Sequence, residues 1–196
     1  MMVGMPLEPQ GGVDEARLIA LSLKQDHEAF GQLVDRYATV TINLAYRMVG
    51  NRTDAEDLAQ EAFIAAFKAL PTFRADAKFS TWLYRIVVNR CLDYKRKKKA
   101  VLVALDKTLE QGKIPESLTV ELDFERKRKA AIVWKAIKDL PDNQRIALIL
   151  SKFEAKSYQA IADIMGISLA SVASLIFRAK DNLKTKLLPL REKGII

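Results

Sequence analysis

The stretch Ser157–Arg178, SYQAIADIMGISLASVASLIFR, decides how the rest of the chain is read. Two apolar-periodic runs flank Gly166, which breaks the first of them. A helix-turn-helix needs a small residue where its helices cross, a glycine at the turn and apolar residues fastening the second helix to the first. Ala162, Gly166 and Val172 stand at those offsets, with Ile161, Ile164, Met165 and Ile167 filling the floor beneath. An ordinary helical hairpin needs no such fixed triplet, so the spacing favours a duplex-reading motif. The second helix is then expected in a DNA groove, with its early residues Ser168, Leu169, Ala170, Ser171 and Ser174 toward base edges. These side chains are short and uncharged. Charge has to come from Arg178, Lys180, Lys184 and Lys186 later in the helix, and from Lys152 and Lys156 before the motif. Phosphate contacts by such cations supply most of the affinity in this mode of binding.

The segments on either side are helical as well. Ile132, Val133, Ala136, Ile137 and Leu140 form one amphipathic run, closed by Pro141. Further helices are predicted over 142–153, over 158–165, and from Ser168 to Leu188, where Pro189 is read as the stop. Upstream, a helical pattern covers Asp14 to about Lys97: Leu18, Leu21, Phe30, Leu33, Val34 and Tyr37 recur three and four apart, and Ile42, Ala45, Tyr46 and Val49 continue them. Gly50-Asn51-Arg52 interrupts the pattern. Thr53-Asp54-Ala55-Glu56 reads as a capping box that restarts it, with Leu58, Ala62, Ala65, Ala66 and Ala69 as the apolar stripe and Pro71 as the end. Phe73–Ser80 reads as a loop, and another helix is predicted from near Thr81.

Between Lys95 and Phe124 the character changes. The basic run Lys95-Arg96-Lys97-Lys98-Lys99 gives way to an aperiodic segment holding Gly112, Pro115 and the acids Asp106, Glu110, Glu116, Glu121 and Asp123. The expectation is an all-α chain of two small helical domains, 14–97 and 124–196, the second a helix-turn-helix, joined by a flexible linker over 98–123. Residues 1–13 are expected to be a disordered tail. Neither an internal repeat nor a strand-rich region is legible.

Composition agrees with this outline. Eight glycines and six prolines among 196 residues leave long stretches for helix, and 49% hydrophobic residues are too many for a disordered chain. The net charge of +8 favours nucleic acid or an acidic surface as partner. A single cysteine, Cys91, excludes an internal disulfide, and with the single His27 it excludes the common zinc sites; no cofactor or metal is expected. Cys91 sits in an apolar helical pattern and reads as a buried, reduced thiol; His27 follows Asp26 at a polar helix start and reads as a surface residue. No apolar run reaches the length of a membrane span. Met1–Gly12 contains no Lys or Arg and does not resemble a secretory signal, so a soluble, cytoplasmic protein without membrane insertion is expected.

Two further constellations carry chemistry. In Phe73–Asn89, FRADAKFSTWLYRIVVN, aromatics interleave with basic and hydroxyl residues. Aromatic faces stack unpaired bases, hydroxyls bond base edges and cations hold phosphates, so the composition suits single-stranded nucleic acid. Phe79, Leu83, Ile86 and Val87 also make an ordinary core stripe, and both readings stand at this point. In Asp54–Glu61, DAEDLAQE, the carboxylates of Asp57 and Glu61 are four apart and share a helix face. Without His or Cys beside them, an enzymatic or metal role is poorly supported. The choice lies between acids favoured by the helix dipole and an acidic docking face for a basic partner.

Taken together, these residues resemble a known family. DAEDLAQEAFIAAFKAL followed by FRADAKFSTWLYRIVVNRCLDYKRKKK is similar to region 2 of the extracytoplasmic-function sigma factors. LPDNQRIALILSKFEAKSYQAIADIMGISLASVASLIFRAKDNLKTKL is similar to their region 4. The two likenesses cover about Leu18–Lys97 and Phe124–Leu188, in the family's order. The resemblance implies a transcription initiation factor that is not an enzyme. Asp57, Gln60 and Glu61 match the helix that docks on the polymerase beta-prime clamp. Arg74, Lys78, Phe79, Ser80, Thr81, Trp82, Arg85 and Asn89 fall in the element that melts the −10 region and holds one strand. Ser168, Ser171, Ser174, Arg178, Lys180 and Lys184 fall on the reader of the −35 duplex. The implied partners are core RNA polymerase, through its beta-prime clamp and beta subunits, promoter DNA and an anti-sigma factor. A stand-alone helix-turn-helix regulator is the alternative. One departure matters: where the family commonly reads Thr-Val-Lys-Ser-Arg, this chain has Ser171-Val172-Ala173-Ser174-Leu175. Two cations are missing, and Leu175, three beyond Val172, is expected in the core.

Overall fold

The computed structural model describes residues 13–74, 77–104 and 124–195, and every regular element among them is helical. They form two helical units, each described by itself.

In the first unit, α1 (Val13–Ser22) leads through a turn to Asp26, whose side chain accepts the Ala29 N–H at 3.0 Å and so caps α2 (His27–Val49). α2 buries Phe30, Leu33, Tyr37, Thr41, Leu44, Ala45 and Met48, a stripe at helical spacing. Gly50 ends it in the left-handed region at φ 79°, its N–H bonding the Tyr46 carbonyl. The chain is then turned at once into the next cap. Asn51, not Thr53, is that cap: its side chain accepts the Asp54 N–H at 3.0 Å, and α3 (Arg52–Ala69) begins immediately after it. Glu56 pairs instead with Arg52 at 2.5 Å.

The buried face of α3 is Ala55, Leu58, Ala59, Ala62, Phe63 and Ala66, while Ala65 and Ala69 are half-buried. Four alanines on that face give the helix a low profile against its neighbours. A short 3-10 turn, Leu70–Thr72, holds Pro71 where its missing N–H costs nothing. α4 (Phe79–Ala104) starts two residues earlier than the pattern predicts, because the Lys78 carbonyl already accepts from Thr81 and Trp82. It buries Phe79, Thr81, Leu83, Tyr84, Val87, Val88 and Cys91. It also continues as helix to Ala104, beyond the expected domain end at Lys97; the rest of the expected linker, 105–123, and the tail 1–12 lie outside the described residues. The core of the unit joins Leu18, Phe30, Leu33, Tyr37, Phe63, Leu70, Phe79 and Leu83. Burial pushes the Cys91 thiol up to about 12, so it stays protonated and unreactive while the unit is folded.

In the second unit, α5 (Phe124–Lys138) and α6 (Asp142–Lys152) are joined through Arg145, only 7% exposed, which donates to the Lys138 carbonyl at 2.6 Å and pairs with Asp142. This satisfies a carbonyl at the end of α5 that the helix itself leaves open. Ile137, Leu140, Leu148 and Ala179 form a core cluster with Trp134, Phe153 and Leu183 against it. α7 (Tyr158–Met165) is capped by Ser157, ends at Gly166 with φ 65°, and is followed by α8 (Leu169–Glu192), capped by Ser168. α7 and α8 meet at 102°, within the range of helix-turn-helix motifs. Ala162 lies buried in α7, and Val172, Ile176 and Ala179 seat α8. α8 does not stop at Pro189. In the last turn a proline removes only one hydrogen bond, and the helix runs three residues past it.

Two turns have opposite responses to substitution. Gly166 sits at φ 65° and Ala155, in the turn between α6 and α7, at φ 49°. Gly166→Ala places a Cβ in the disfavoured region and should cost about 1 kcal/mol or more, whereas Ala155→Gly relieves that strain and should cost nothing or stabilise slightly. Urea unfolding of the full chain checks both; equal losses for the two variants would contradict the assigned turn geometry.

Candidate nucleic-acid and polymerase interfaces

Three outward helix lines carry the residues singled out in the sequence. On α3, Asp57, Gln60 and Glu61 are exposed, as expected of a docking face. Asp57, Glu61, Ile64 and Lys68 follow one another at spacings of four, three and four, which sets them in one row. Ile64 is 58% exposed at its centre. Sequence reading passed over this residue; its phase, opposite Ala62 and Ala66, is the signal that finds it. Asp54, by contrast, turns toward α4. Its carboxylate accepts from the Tyr94 hydroxyl at 2.5 Å and lies 3.7 Å from the Lys98 ammonium, which also donates to that hydroxyl at 3.0 Å. Desolvation by burial, then the bond to Asp54, hold the Tyr94 phenol above its usual value of 10.0. The stability this contact contributes is therefore present below pH 10 and is lost as pH rises through the raised value.

Lys78, immediately before α4, and Trp82, Arg85 and Asn89 on it form a second row at the same spacing. Lys78, Arg85 and Asn89 are exposed, Trp82 and Ser80 are half-buried, and Arg74 is exposed in the preceding loop. Two members of the expected set do not join them. Phe79, 2% exposed, and Thr81 face the core, because the inner side of the same helical turn has to close the unit. Phe79 and Phe73 instead pack on Trp82, with ring centroids 5.5 and 5.3 Å away, so the indole is fixed on one side by aromatic neighbours.

On α8, Val172, Ile176 and Ala179 face inward, which turns Ala170, Ser174, Phe177 and Asp181 outward in one row. Phe177 is 71% exposed, the second residue that sequence reading missed and one that the same phase argument finds. Leu175 is half-buried at the edge of the seat rather than within it. At about 100° per residue the cations divide about the outward row, Arg178 on the flank it shares with Ser171, and Lys180 and Lys184 on the flank they share with Ala173. Ser168 is exposed at the start of the helix, where it acts as the N-cap. Its hydroxyl accepts the Ser171 N–H at 3.2 Å and meets the Ser171 hydroxyl at 2.8 Å, so both are engaged in starting the helix. Lys186 pairs with Asp139 at 3.1 Å and Asn182 donates to Gln144 at 2.8 Å, holding α8 along α5 and α6.

No group of His, Cys, Asp and Glu among the described residues is arranged to hold a metal, and no single described helix is long and apolar enough to cross a membrane. The crossing of α7 and α8 about Gly166 has the form of a helix-turn-helix. Comparison with known proteins makes this specific. A sigma-70 region 2 family matches residues 33–101, and a sigma-70 region 4 family matches residues 130–183. The RNA polymerase sigma-H factor of Pseudomonas aeruginosa is 35% identical over 90% of this chain and 95% of its own length. SigW, an extracytoplasmic-function (ECF) sigma factor of Bacillus subtilis, is 34% identical over 84% of this chain and 91% of its own. Among solved structures, CnrH in complex with the cytosolic domain of CnrY is similar with a TM-score of 0.65 and 26% identity, covering 89% of this chain and 97% of that one. RpoE of Bartonella quintana, solved with the anti-sigma factor NepR, shares the fold with a TM-score of 0.67 at 24% identity, over 81% of this chain and 96% of that one. The chain belongs to the sigma-70 family of RNA polymerase sigma factors, in its extracytoplasmic-function group.

Proposed function

We propose that the three rows divide the work of a promoter-directing sigma factor. The α3 row, Asp57, Gln60, Glu61 and Ile64, docks on core RNA polymerase at the beta-prime clamp: carboxylates around one exposed apolar side chain suit a basic partner with an apolar contact at its centre. The α4 row handles the −10 region as a single strand. Lys78 and Arg85 hold phosphates, Ser80 and Asn89 offer bonds to base edges, and the accessible side of Trp82 offers a stacking face. The α8 row reads the −35 duplex, with Ser174 and Phe177 toward bases and Arg178, Lys180 and Lys184 on the backbones to either side. The beta subunit and an anti-sigma factor are further proposed partners, which rest on the family rather than on any feature of these helices. Action beside polymerase places the protein in the cytoplasm.

The observation that carries this reading is the α4 row, in which cations, an amide and an indole share one outward line in the region 2 unit. Lys78→Ala and Arg85→Ala should each slow open-complex formation on duplex promoter by about tenfold, while a pre-melted template restores most of the rate, since the cost falls on melting. Full activity of both variants on duplex templates would remove α4 from the strand-handling role.

A further inference from the structure

Beyond Cys91, α4 leaves its core: Leu92–Lys95 are half-buried and Arg96–Val101 are exposed. From Arg90 to Lys99 the helix carries six cations, Arg90, Lys95, Arg96, Lys97, Lys98 and Lys99, against one acid, Asp93, which pairs with Arg96. Such a density repels itself and favours fraying of the helix. Opposing that, Tyr94 reaches across to the first turn of α3, 40 residues away in sequence, and its hydroxyl lies between the Asp54 carboxylate at 2.5 Å and the Lys98 ammonium at 3.0 Å. The Lys98 ammonium also stands 5.3 Å from the centre of the Tyr94 ring. Asp54 carries the one negative charge in this clasp, on a helix separate from the cations that it restrains.

The clasp fixes a direction. Lys78, immediately before α4, and Arg85, Asn89 and Arg96 on it recur on one side, and about 27 Å separates the ends of that line at 1.5 Å per residue. We infer that Asp54 and Tyr94 are positioning residues, which hold the cationic end of α4 in line with its strand-handling face. The two parts then follow one continuous phosphodiester backbone, from the melted strand into the adjoining duplex. This rests on the reading of α4 as a nucleic-acid face. The partner is identified by charge: an extended polyanion matches a stretch of net charge +5 over ten residues, whereas the segment 106–123 sets five acids against Lys107 and Lys113, a net charge of only −3 over 18 residues.

Tyr94→Phe removes the hydroxyl and leaves the ring. The test uses holoenzyme reconstituted with full-length chain, on a promoter fragment recovered by run-off transcription, with affinity measured across a potassium chloride series. The salt slope of Tyr94→Phe should fall in magnitude by about 1–2, one or two phosphate contacts, with core polymerase affinity unchanged. Asp54→Ala should reproduce this loss, and Asp54→Asn, which still accepts from the phenol, should retain the wild-type slope. A wild-type slope for Tyr94→Phe, or a loss of core affinity in step with promoter affinity, would overturn the inference. Arg85→Ala separates the two levels: if it lowers the slope and Tyr94→Phe does not, the clasp alone is wrong, and if neither does, α4 is not a nucleic-acid face.

Discussion

Replacing Asp57 and Glu61 together by Lys should weaken binding to core RNA polymerase by at least about 100-fold while leaving the helix content of the chain unchanged. Both side chains are exposed on α3 and past its first turn, so neither caps the helix nor packs in the unit. In the proposed docking role their value lies in complementarity to a basic surface. Reversal changes the local charge by four and sets like charges against one another, which costs several kcal/mol at a docked interface; 100-fold corresponds to about 2.8 kcal/mol. Ile64→Ala tests the apolar centre of the same row, and a loss of about tenfold is expected for a buried aliphatic anchor. Competition against wild type for limiting core polymerase measures both. An undiminished double reversal would detach this face from polymerase; a collapse of the far-ultraviolet circular dichroism would show the two acids to be structural.

On α8, the largest effect should come from Phe177. The ring is 71% exposed on the outward row of α8, and in the proposed −35 reading an apolar group in a major groove contacts a thymine methyl. Phe177→Ala should lower affinity for the cognate −35 duplex by about 10- to 100-fold, with little change in its salt dependence, because a methyl contact releases no counterion. Ala173→Lys should behave in the opposite way. Position 173 lies on the flank that already carries Lys180 and Lys184, so the new cation should raise affinity for all duplexes and increase the salt slope by about 0.9. Salt titration of holoenzyme on cognate and base-substituted −35 duplexes distinguishes the two. If Ala173→Lys changes neither affinity nor slope, α8 does not lie against DNA in this orientation.

What the sequence made legible follows from the reach of each constraint. The helix-turn-helix was readable because its small residue, left-handed glycine and seating valine occupy fixed local offsets, and Ala162, Gly166 and Val172 are found in those roles. The α3 cap was misplaced because Asn51 and Thr53 are both capping residues two positions apart; the left-handed Gly50 decides for Asn51 by turning the chain immediately before it. Phe79 and Thr81 were included with the strand-handling residues because aromatic and hydroxyl composition does not separate the inner from the outer face of a helix. Burial does, and it places both inside. Ile64 and Phe177 went unnoticed for the complementary reason, since an apolar residue within an apolar pattern draws attention only when its phase is followed. The clasp of Asp54 with Tyr94 and Lys98 was illegible in principle. No local period encodes a contact across 40 residues, and Asp54 was read as one more acid at a helix start.

The most direct measurement is run-off transcription from genomic fragments by core RNA polymerase, with and without this chain, alongside binding of the same fragments by the chain alone. Discrete transcripts should appear only when core and chain are combined, with specific binding of those fragments likewise confined to the combined complex. A chain that binds specific duplexes tightly without core, and adds no new start sites when core is supplied, would contradict the proposed division of work and leave a self-sufficient helix-turn-helix regulator in its place.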